Sequence, residues 1–385
     1  MEQLRDRRIW IWSASNMGPC IYKFLVAEDY KIYGFIDNSK KLQNTTVCGI
    51  KVWRPEDAYL EIKEDDSIIL GCTLKNNKCI REQLNQNGIE KNIYDWNPKM
   101  VSNDGGVRVY NPEYIAEGHE DRCVSKCCCQ DDFEKEYFIR IQKELGWKDK
   151  RYHRKIWEFV FIADALEKNG MLKEGMNGLG FAVGEEPLPS YFASKGVNIL
   201  ATDLGIEGKT ADVWAKTGQN ASGDVSRLHK KDIISKEDFI AKVKYMDLDM
   251  NHIPEEIGQY DFCWSSCAIE HVGGLSLSKE FMKNMIKVLK PGGIAVHTTE
   301  FNIWSNDETI EDGYSVIWRR RDFEELQEWM EDNGCEMSLS FVRPQKDADT
   351  FLPLPPYDNG DERNHLNLLV GNFASTSYGL IIKRK

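Results

Sequence analysis

The stretch GLGFAVGEEPLPSYFASKGVNILATDLG, residues 178–205, most narrows what this chain can become. It reads as a short apolar strand, a tight turn, a helix through Tyr191–Ser194 and a second strand ending at Asp203. Small residues at Gly180, Ala182 and Gly184 let backbone approach a ligand just past the first strand. A carboxylate at the end of the second, here Asp203, can accept hydrogen bonds from both hydroxyls of a ribose. The alternation continues with YDFCWSS at 260–266, a helix Lys279–Leu289, GIAVHTT, a helix Asp322–Asn333 and a terminal strand at YGLIIK. Such alternation implies a mostly parallel sheet with helices on both faces.

At 385 residues the chain exceeds what one hydrophobic core usually serves, so two domains are expected. The first is legible from the amino end: RIWIW, then SASNMG, then helical spacing at Ile21, Phe24 and Leu25, then an apolar run into GFIDNS. Pro55 marks a helix start, SIILGC a buried strand, and a helix spans about Asn76 to Asn87. The pattern weakens over 98–132, read as a linker carrying Cys123, Cys127, Cys128 and Cys129. Two helices follow, with Phe138, Ile141 and Leu145 on one and Ile156, Val160, Ala163 and Leu166 on the other, before Gly170. The expectation is an α/β protein with two Rossmann-like domains, 1–97 and 133–385, joined by 98–132.

Composition excludes several classes. With 41% hydrophobic and 29% charged residues the chain has the balance of a soluble globular protein. No run approaches the ~18 apolar residues of a membrane span, and the amino end lacks a secretory pattern, so a cytoplasmic location is expected. A net charge of -12 repels nucleic acid and anionic lipid, and a small soluble acceptor fits better. The eleven cysteines, without an export signal, read as reduced thiols. Adjacent cysteines in CVSKCCC share one tetrahedral zinc site poorly, and the spacing misses C-x-x-x-C-x-x-C, so no metal is assigned. Asp131 and Asp132 read as a helix cap.

Downstream of Asp203 come YMDLDMNHIP, YDFCWSSCAIEHVGG and FMKNMIKVLKPGGIAVHTT. In this order and at these distances they resemble class I S-adenosylmethionine (SAM)-dependent methyltransferases. The resemblance implies SAM as cofactor and a mixed sheet with helices on both faces. It implies contacts with SAM from Gly180, Ala182, Gly184, Asp203 and Leu204, an adenine-binding acid at Asp249 with Met250 beside it, and a fourth strand bearing Ser265. The chain departs from the family where the loop's usual acid is replaced by Gly180, so Glu185 or Glu186 would have to reach the cofactor's ammonium. Arg154 or Trp157 would close the pocket. Glu270 and His271, just past the fourth strand, are the candidate catalytic pair, His271 as base; His297 and His365 are secondary candidates. The Glu-His-Val-Gly stretch is also similar to cyclopropane-fatty-acid synthases, but the acidic charge argues against a lipid acceptor.

Residues 8–72 resemble small Rossmann-like domains of bacterial sugar-modifying and glycan-biosynthesis proteins. That resemblance implies a nucleotide or nucleotide-sugar ligand, with Gly18 the only remaining glycine of the Ser13–Gly18 turn and Asp37 at the ribose position. The expected activity is methylation of a hydroxyl on a sugar or glycan intermediate. Trp304, Tyr314, Trp318, Arg319, Arg320, Tyr357 and His365 are candidate acceptor contacts. Alternatives are a SAM-binding scaffold without turnover, a carbon or nitrogen acceptor, or an NAD-dependent oxidoreductase built on the first domain.

Overall fold

The computed structural model describes the chain apart from residues 1–3, 5, 16, 28, 73, 98–104, 110–122, 148–150, 206–224, 356, 358–362 and 372. Asn16 of the first turn and most of the expected linker lie outside the described residues. The chain divides into two compact units. One holds residues 1–108, 352–363 and 369–372; the other holds 109–351, 364–368 and 373–385. The divisions drawn at 97 and 133 differ from these because the first unit recruits late segments: the Trp96 indole donates to the Pro355 carbonyl at 2.9 Å, and Arg363 to the Gly105 carbonyl at 2.6 Å.

In the first unit the strands are β1 (Ile9–Trp12), β2 (Ile32–Ile36), β3 (Thr46–Val47), β4 (Ile50–Trp53), β5 (Ser67–Leu70) and β6 (Ile93–Asp95). They lie in the order β3-β4-β2-β1-β5-β6, parallel except for the β3–β4 pair. Alternate residues of β1 enter different cores, Ile9 and Ile11 one and Trp10 and Trp12 the other. That is why IWIW is apolar throughout: a parallel strand covered on both faces has no solvent side. Gly18 is required by close approach, since a Cβ there would lie 1.7 Å from the Ser13 carbonyl oxygen. Asp37 accepts the amides of Ala14 and Ser39, both at 2.7 Å, and so ties the ends of β1 and β2 together.

In the second unit the strands are β7 (Ser125–Cys127), β8 (Asn177–Gly180), β9 (Asn198–Asp203), β10 (Val243–Asp247), β11 (Tyr260–Ser266), β12 (Leu289–Asn302), β13 (Cys335–Met337), β14 (Leu339–Ser340) and β15 (Phe373–Arg384). The sheet runs β10-β9-β8-β11-β12-β15, with β13 and then β7 along the far side of β15, and β14 beyond β7. The first five strands are parallel and β15 is antiparallel to β12. The order reverses between β8 and β11, and in open α/β sheets ligands bind beyond the carboxyl ends of the strands at such a point. This is the α/β, Rossmann-like mixed sheet expected of the second unit.

Helices Arg154–Lys168 and Leu188–Ser194 supply the main core on one face, with Trp157, Val160, Tyr191 and Phe192 against Phe262 and Trp264. On the other face Phe281, from helix Leu275–Asn284, meets Phe181 and His297 edge-on. The expected Lys279–Leu289 helix thus starts and ends earlier, and LKPGG belongs to the start of β12. Asp132 is not a simple cap. It is buried, pairs with Lys126 at 2.6 Å and accepts the Trp157 indole at 2.7 Å. Cys127, Cys128 and Cys129 are buried, and burial pushes the Cys127 thiol up to about 12. Among the described residues no helix is long and apolar enough to cross a membrane.

The junction of β15 with helix Arg154–Lys168 is filled by one ring: a Cβ on Gly379 would lie 2.2 Å from Phe161 Cε1. Overpacking of this kind costs about 1–3 kcal/mol. Gly379→Ala is expected to lower the unfolding free energy in denaturant titration by that amount, and Phe161→Leu in the same chain to recover part of it.

Candidate functional site

The turn after β8 reproduces the tight geometry expected from its sequence with altered residues. Ala182 has φ +47° and Gly184 φ +52°, so an alanine is held in the left-handed region that glycine favours. The Val183 amide donates to the Thr202 carbonyl at 3.0 Å and the Thr202 hydroxyl to the Gly180 carbonyl at 2.8 Å, clamping the turn to β9. Asp203 is buried at the end of β9; one carboxylate oxygen accepts the Gly184 amide at 3.2 Å and the other the Leu204 amide at 2.8 Å. Gly180, Ala182 and Gly184 thereby share one turn, and Asp203 accepts the Gly184 and Leu204 amides beside it.

Gly180 has a steric cause. A Cβ there would sit 2.5 Å from Trp264 Cζ2, so the β11 indole fills the space in which a side chain would stand. The same indole donates to Glu186 Oε1 at 2.6 Å. Glu186 is buried, and burial raises its carboxyl to about 8 against the pull of the Trp264 hydrogen bond and nearby Lys155. Glu185 points elsewhere: it is exposed and pairs with Arg227 at 3.2 Å. Of the two acids considered for the loop, only Glu186 has its carboxyl inside the fold.

Beyond β10, Asp249 is half-buried and accepts the Asn251 amide at 2.9 Å, with His252 Nδ1 at 3.0 Å, while Met250 beside it is buried. Ser265 is turned into the core, where its hydroxyl meets His297 Nδ1 at 2.8 Å. Burial holds His297 down to about 3, so it is a neutral interior group rather than one reaching the strand ends. Trp264 and Ser265 face opposite sides because side chains alternate along a strand.

At the carboxyl end of β11 the chain turns sharply, with Cys267 at φ +47°, into a short turn that buries Glu270 and leaves the His271 side chain 23% exposed. Glu270 Oε2 accepts the Thr299 hydroxyl at 3.1 Å, and Oε1 is 3.8 Å from His271 Nε2. His271 Nδ1 lies 2.8 Å from the Tyr314 carbonyl, which makes it the protonated nitrogen and leaves Nε2 the basic one. Burial raises the Glu270 carboxyl, opposed by His271.

Sequence reasoning named Arg154 but missed its partners. Arg154 Nη1 lies 3.0 Å from Glu158 Oε1, 2.7 Å from Glu300 Oε1 and 3.6 Å from Cys267 Sγ. Lys155 pairs with Glu158 Oε2 at 2.9 Å. Burial alone would raise Glu158, yet Lys155 and Arg154 outweigh it and hold the carboxyl at about 2. Ligand atoms of Cys267, Glu270 and Glu300 fall within 4.8 Å of one another, as a metal would need. The Arg154 guanidinium already supplies positive charge there, so the group reads as an ion network. The Arg154–Glu158 spacing on one helix was a visible signal; Glu300, brought in by the length of β12, was not. Trp157, the other pocket-closing candidate, is instead a core residue tied to Asp132. His365 contributes its carbonyl to the Arg154 amide at 2.9 Å, and its ring lies 5.0 Å from that of His153. Trp318 is wholly buried, Arg319 is tied to Asp322 at 2.8 Å, and Arg320 pairs with Glu324 at 2.8 Å. Tyr357 lies in the first unit, and its hydroxyl donates to the Pro353 carbonyl at 3.1 Å. Trp304 and Tyr314 are exposed, the Tyr314 ring 5.6 Å from that of His271.

Comparison with known proteins bears on this arrangement. Residues 190–297 match the family model described as "Methyltransferase domain". No curated protein matches the chain. Among solved structures it is similar to magnesium protoporphyrin IX methyltransferase from Synechocystis, at 10% identity and a TM-score of 0.35, covering 66% of this chain and 98% of that one. A TehB-like SAM-dependent methyltransferase from Corynebacterium glutamicum gives 14% and 0.33, covering 66% and 98%. A SAM-dependent methyltransferase from Aquifex aeolicus gives 14% and 0.31, covering 58% and 89%. These shape likenesses are low, and the assignment rests on the family model and the strand order. Residues 190–297 of the second unit thus match a methyltransferase domain, set on a Rossmann-like sheet, and the methyl donor of such a domain is S-adenosyl-L-methionine.

Proposed function

We propose that the second unit binds SAM beyond the carboxyl ends of β8, β9 and β11 and transfers its methyl group to a hydroxyl of a sugar or glycan-biosynthesis intermediate. The observation that carries the cofactor half is Asp203, buried at the end of β9 and held by two backbone amides. A carboxylate at this strand end is the kind of acceptor a ribose diol donates to. Gly180, Ala182 and Gly184 form the close-approach turn beside it, Leu204 flanks it, and Asp249 with Met250 take the adenine. Ser265 supports the floor through His297. Glu186 takes the methionine ammonium in place of the acid missing at Gly180, with Lys155 positioned for the carboxylate.

Methyl transfer is an in-line displacement at the sulfonium carbon, so alignment and removal of the acceptor proton are what the protein supplies. Glu270 and His271 are the groups proposed for that proton, since Nε2 of His271 is basic and faces the buried carboxyl. Exposed Tyr314 and Trp304 suit the apolar face of a sugar ring. The first unit, with its own Rossmann-like sheet, is proposed to recognise the nucleotide or carrier portion of the acceptor.

Calorimetric titration with S-adenosylhomocysteine (SAH) tests the cofactor half. Binding by the wild type should fall by more than about 100-fold in Asp203→Ala, as losing hydrogen bonds to a charged group at about 1.5–3 kcal/mol each implies; a folded wild type that does not bind would refute the reading. Glu186 gives a pH signature. Its folded value of about 8 exceeds the ordinary carboxyl value of 4.5, so its contribution to stability is fully present below 4.5 and is lost as pH rises through about 8. The thermal midpoint of the wild type should therefore decline across that window more than that of Glu186→Gln, and SAH, by pairing with the carboxylate, should flatten the decline. Superimposable profiles would remove Glu186 from the cofactor site.

A further inference from the structure

Two buried polar atoms in the ion network have no hydrogen bond among the described residues: Arg154 Nε, a donor, and Glu270 Oε1, an acceptor that lies 3.8 Å from His271 Nε2. Leaving such groups unmade costs about 1–3 kcal/mol each, and more when charged, so a ligand that completes them is favoured. They belong to one cluster: Arg154 Nη1 is 2.7 Å from Glu300 Oε1, and the ligand atoms of Glu300, Glu270 and Cys267 lie within 4.8 Å of one another. Glu270 is 1% exposed, so its carboxyl is withdrawn from bulk water.

We propose that Arg154 Nε–H and Glu270 Oε1 form the subsite of the methyl-accepting atom, and that this atom is a hydroxyl oxygen. The proposal rests on the methyltransferase reading and deepens it by choosing among oxygen, nitrogen and carbon acceptors. A hydroxyl donates its hydrogen to Glu270, accepts from Arg154 with one lone pair, and keeps a second lone pair for the methyl carbon. A neutral amine has one lone pair; if Arg154 takes it, none is left to attack, and an ammonium accepts nothing. A carbon acceptor satisfies neither orphan.

The step balances. The oxygen lone pair forms the C–O bond as the S–CH3 bond breaks, its electron pair staying on sulfur to give the neutral thioether. The hydroxyl proton passes to the Glu270 carboxylate and on to His271 Nε2, 3.8 Å away. The guanidinium stabilises negative charge developing on oxygen. Glu270 is faced by His271 on its own turn, by Thr299 and Glu300 on β12, by Cys267, and by Arg154 and Lys155 from the helix, and it lies above the ordinary carboxyl range through burial.

The test uses the full chain with methyl-labelled SAM and matched probes, UDP-glucose, dTDP-glucose and GDP-mannose against their amino-sugar counterparts. Label is expected in methyl ethers only. Glu270→Gln and Arg154→Lys, the second keeping the charge while losing the Nε fork, should each lower kcat by roughly 10²–10⁴-fold. SAH affinity should change by less than about twofold, which also reports folding of each variant. The wild-type rate should rise with pH through one ionisation above the usual carboxyl range, and that rise should vanish in Glu270→Gln. Label on nitrogen, full activity in a folded Glu270→Gln, or transfer to none of these hydroxyls by a chain that binds SAH would overturn the subsite. A wild type that binds no SAH would instead overturn the methyltransferase reading beneath it.

Discussion

Glu158, buried on the helix Arg154–Lys168, organises the end of the second unit where chemistry would occur. Its carboxylate holds Arg154 at 3.0 Å and Lys155 at 2.9 Å, accepts from Ser266 at the end of β11 at 3.2 Å, and accepts from Ser377 of β15. Arg154 carries the contact onward to Glu300 on β12. One side chain therefore connects a helix to both sides of the sheet's central strands. Buried pairs of this kind cost desolvation, and removing one partner typically destabilises by 3–5 kcal/mol because the other charge is stranded. An apolar replacement would hold the elements together as well; what the charges add is a fixed orientation for Arg154 and a polar floor next to Glu270.

The turn after β8 shows how one bulky residue redistributes a site. Trp264 lies where a side chain at Gly180 would stand, and its indole N–H is what gives Glu186 a buried hydrogen bond. The glycine at 180, where the resemblance called for an acid, is thus accompanied by an acid six positions on that comes back toward the Trp264 indole. Gly180, Trp264 and Glu186 make a compensated set: a side chain at the first would clash with the second, and without the second the third is an unpaired buried carboxyl.

Much of this architecture was legible because periodicity reports burial. The run IWIW, the alternation from 178 to 299 and the two amphipathic helices before Gly170 correspond to observed elements, and Asp203 at the end of its strand accepts the Gly184 and Leu204 amides. The Glu270–His271 pair was legible in position but not in environment, since burial of one and partial exposure of the other depend on the sharp turn at Cys267. What was not legible follows from long-range packing. Ser265 faces the core because of its strand parity, Asp132 is claimed by Trp157 and Lys126, and Glu158 meets Glu300 through Arg154 across distant segments. Division of the chain into units escaped too, because residues 352–363 and 369–372 return to the first unit through contacts such as Trp96 with Pro355.

The site contains carboxyls driven in opposite directions by their surroundings. Glu158, between two cations, stays ionised down to about 2, whereas Glu186, with an indole for a partner, is raised to about 8. Glu270 is raised as well, with a histidine rather than a lysine as its adjacent base. Groups pushed apart in this way divide labour: the clamped carboxylate serves as a fixed charge, and the raised ones exchange protons or wait for a cationic ligand. A sulfonium cofactor bearing an ammonium fits that division. Its charge can stabilise ionised Glu186, and its methyl group must be met by an acceptor whose proton Glu270 can take. On this argument the cofactor completes the site electrostatically before the acceptor arrives, which implies that acceptor affinity depends on the cofactor being bound.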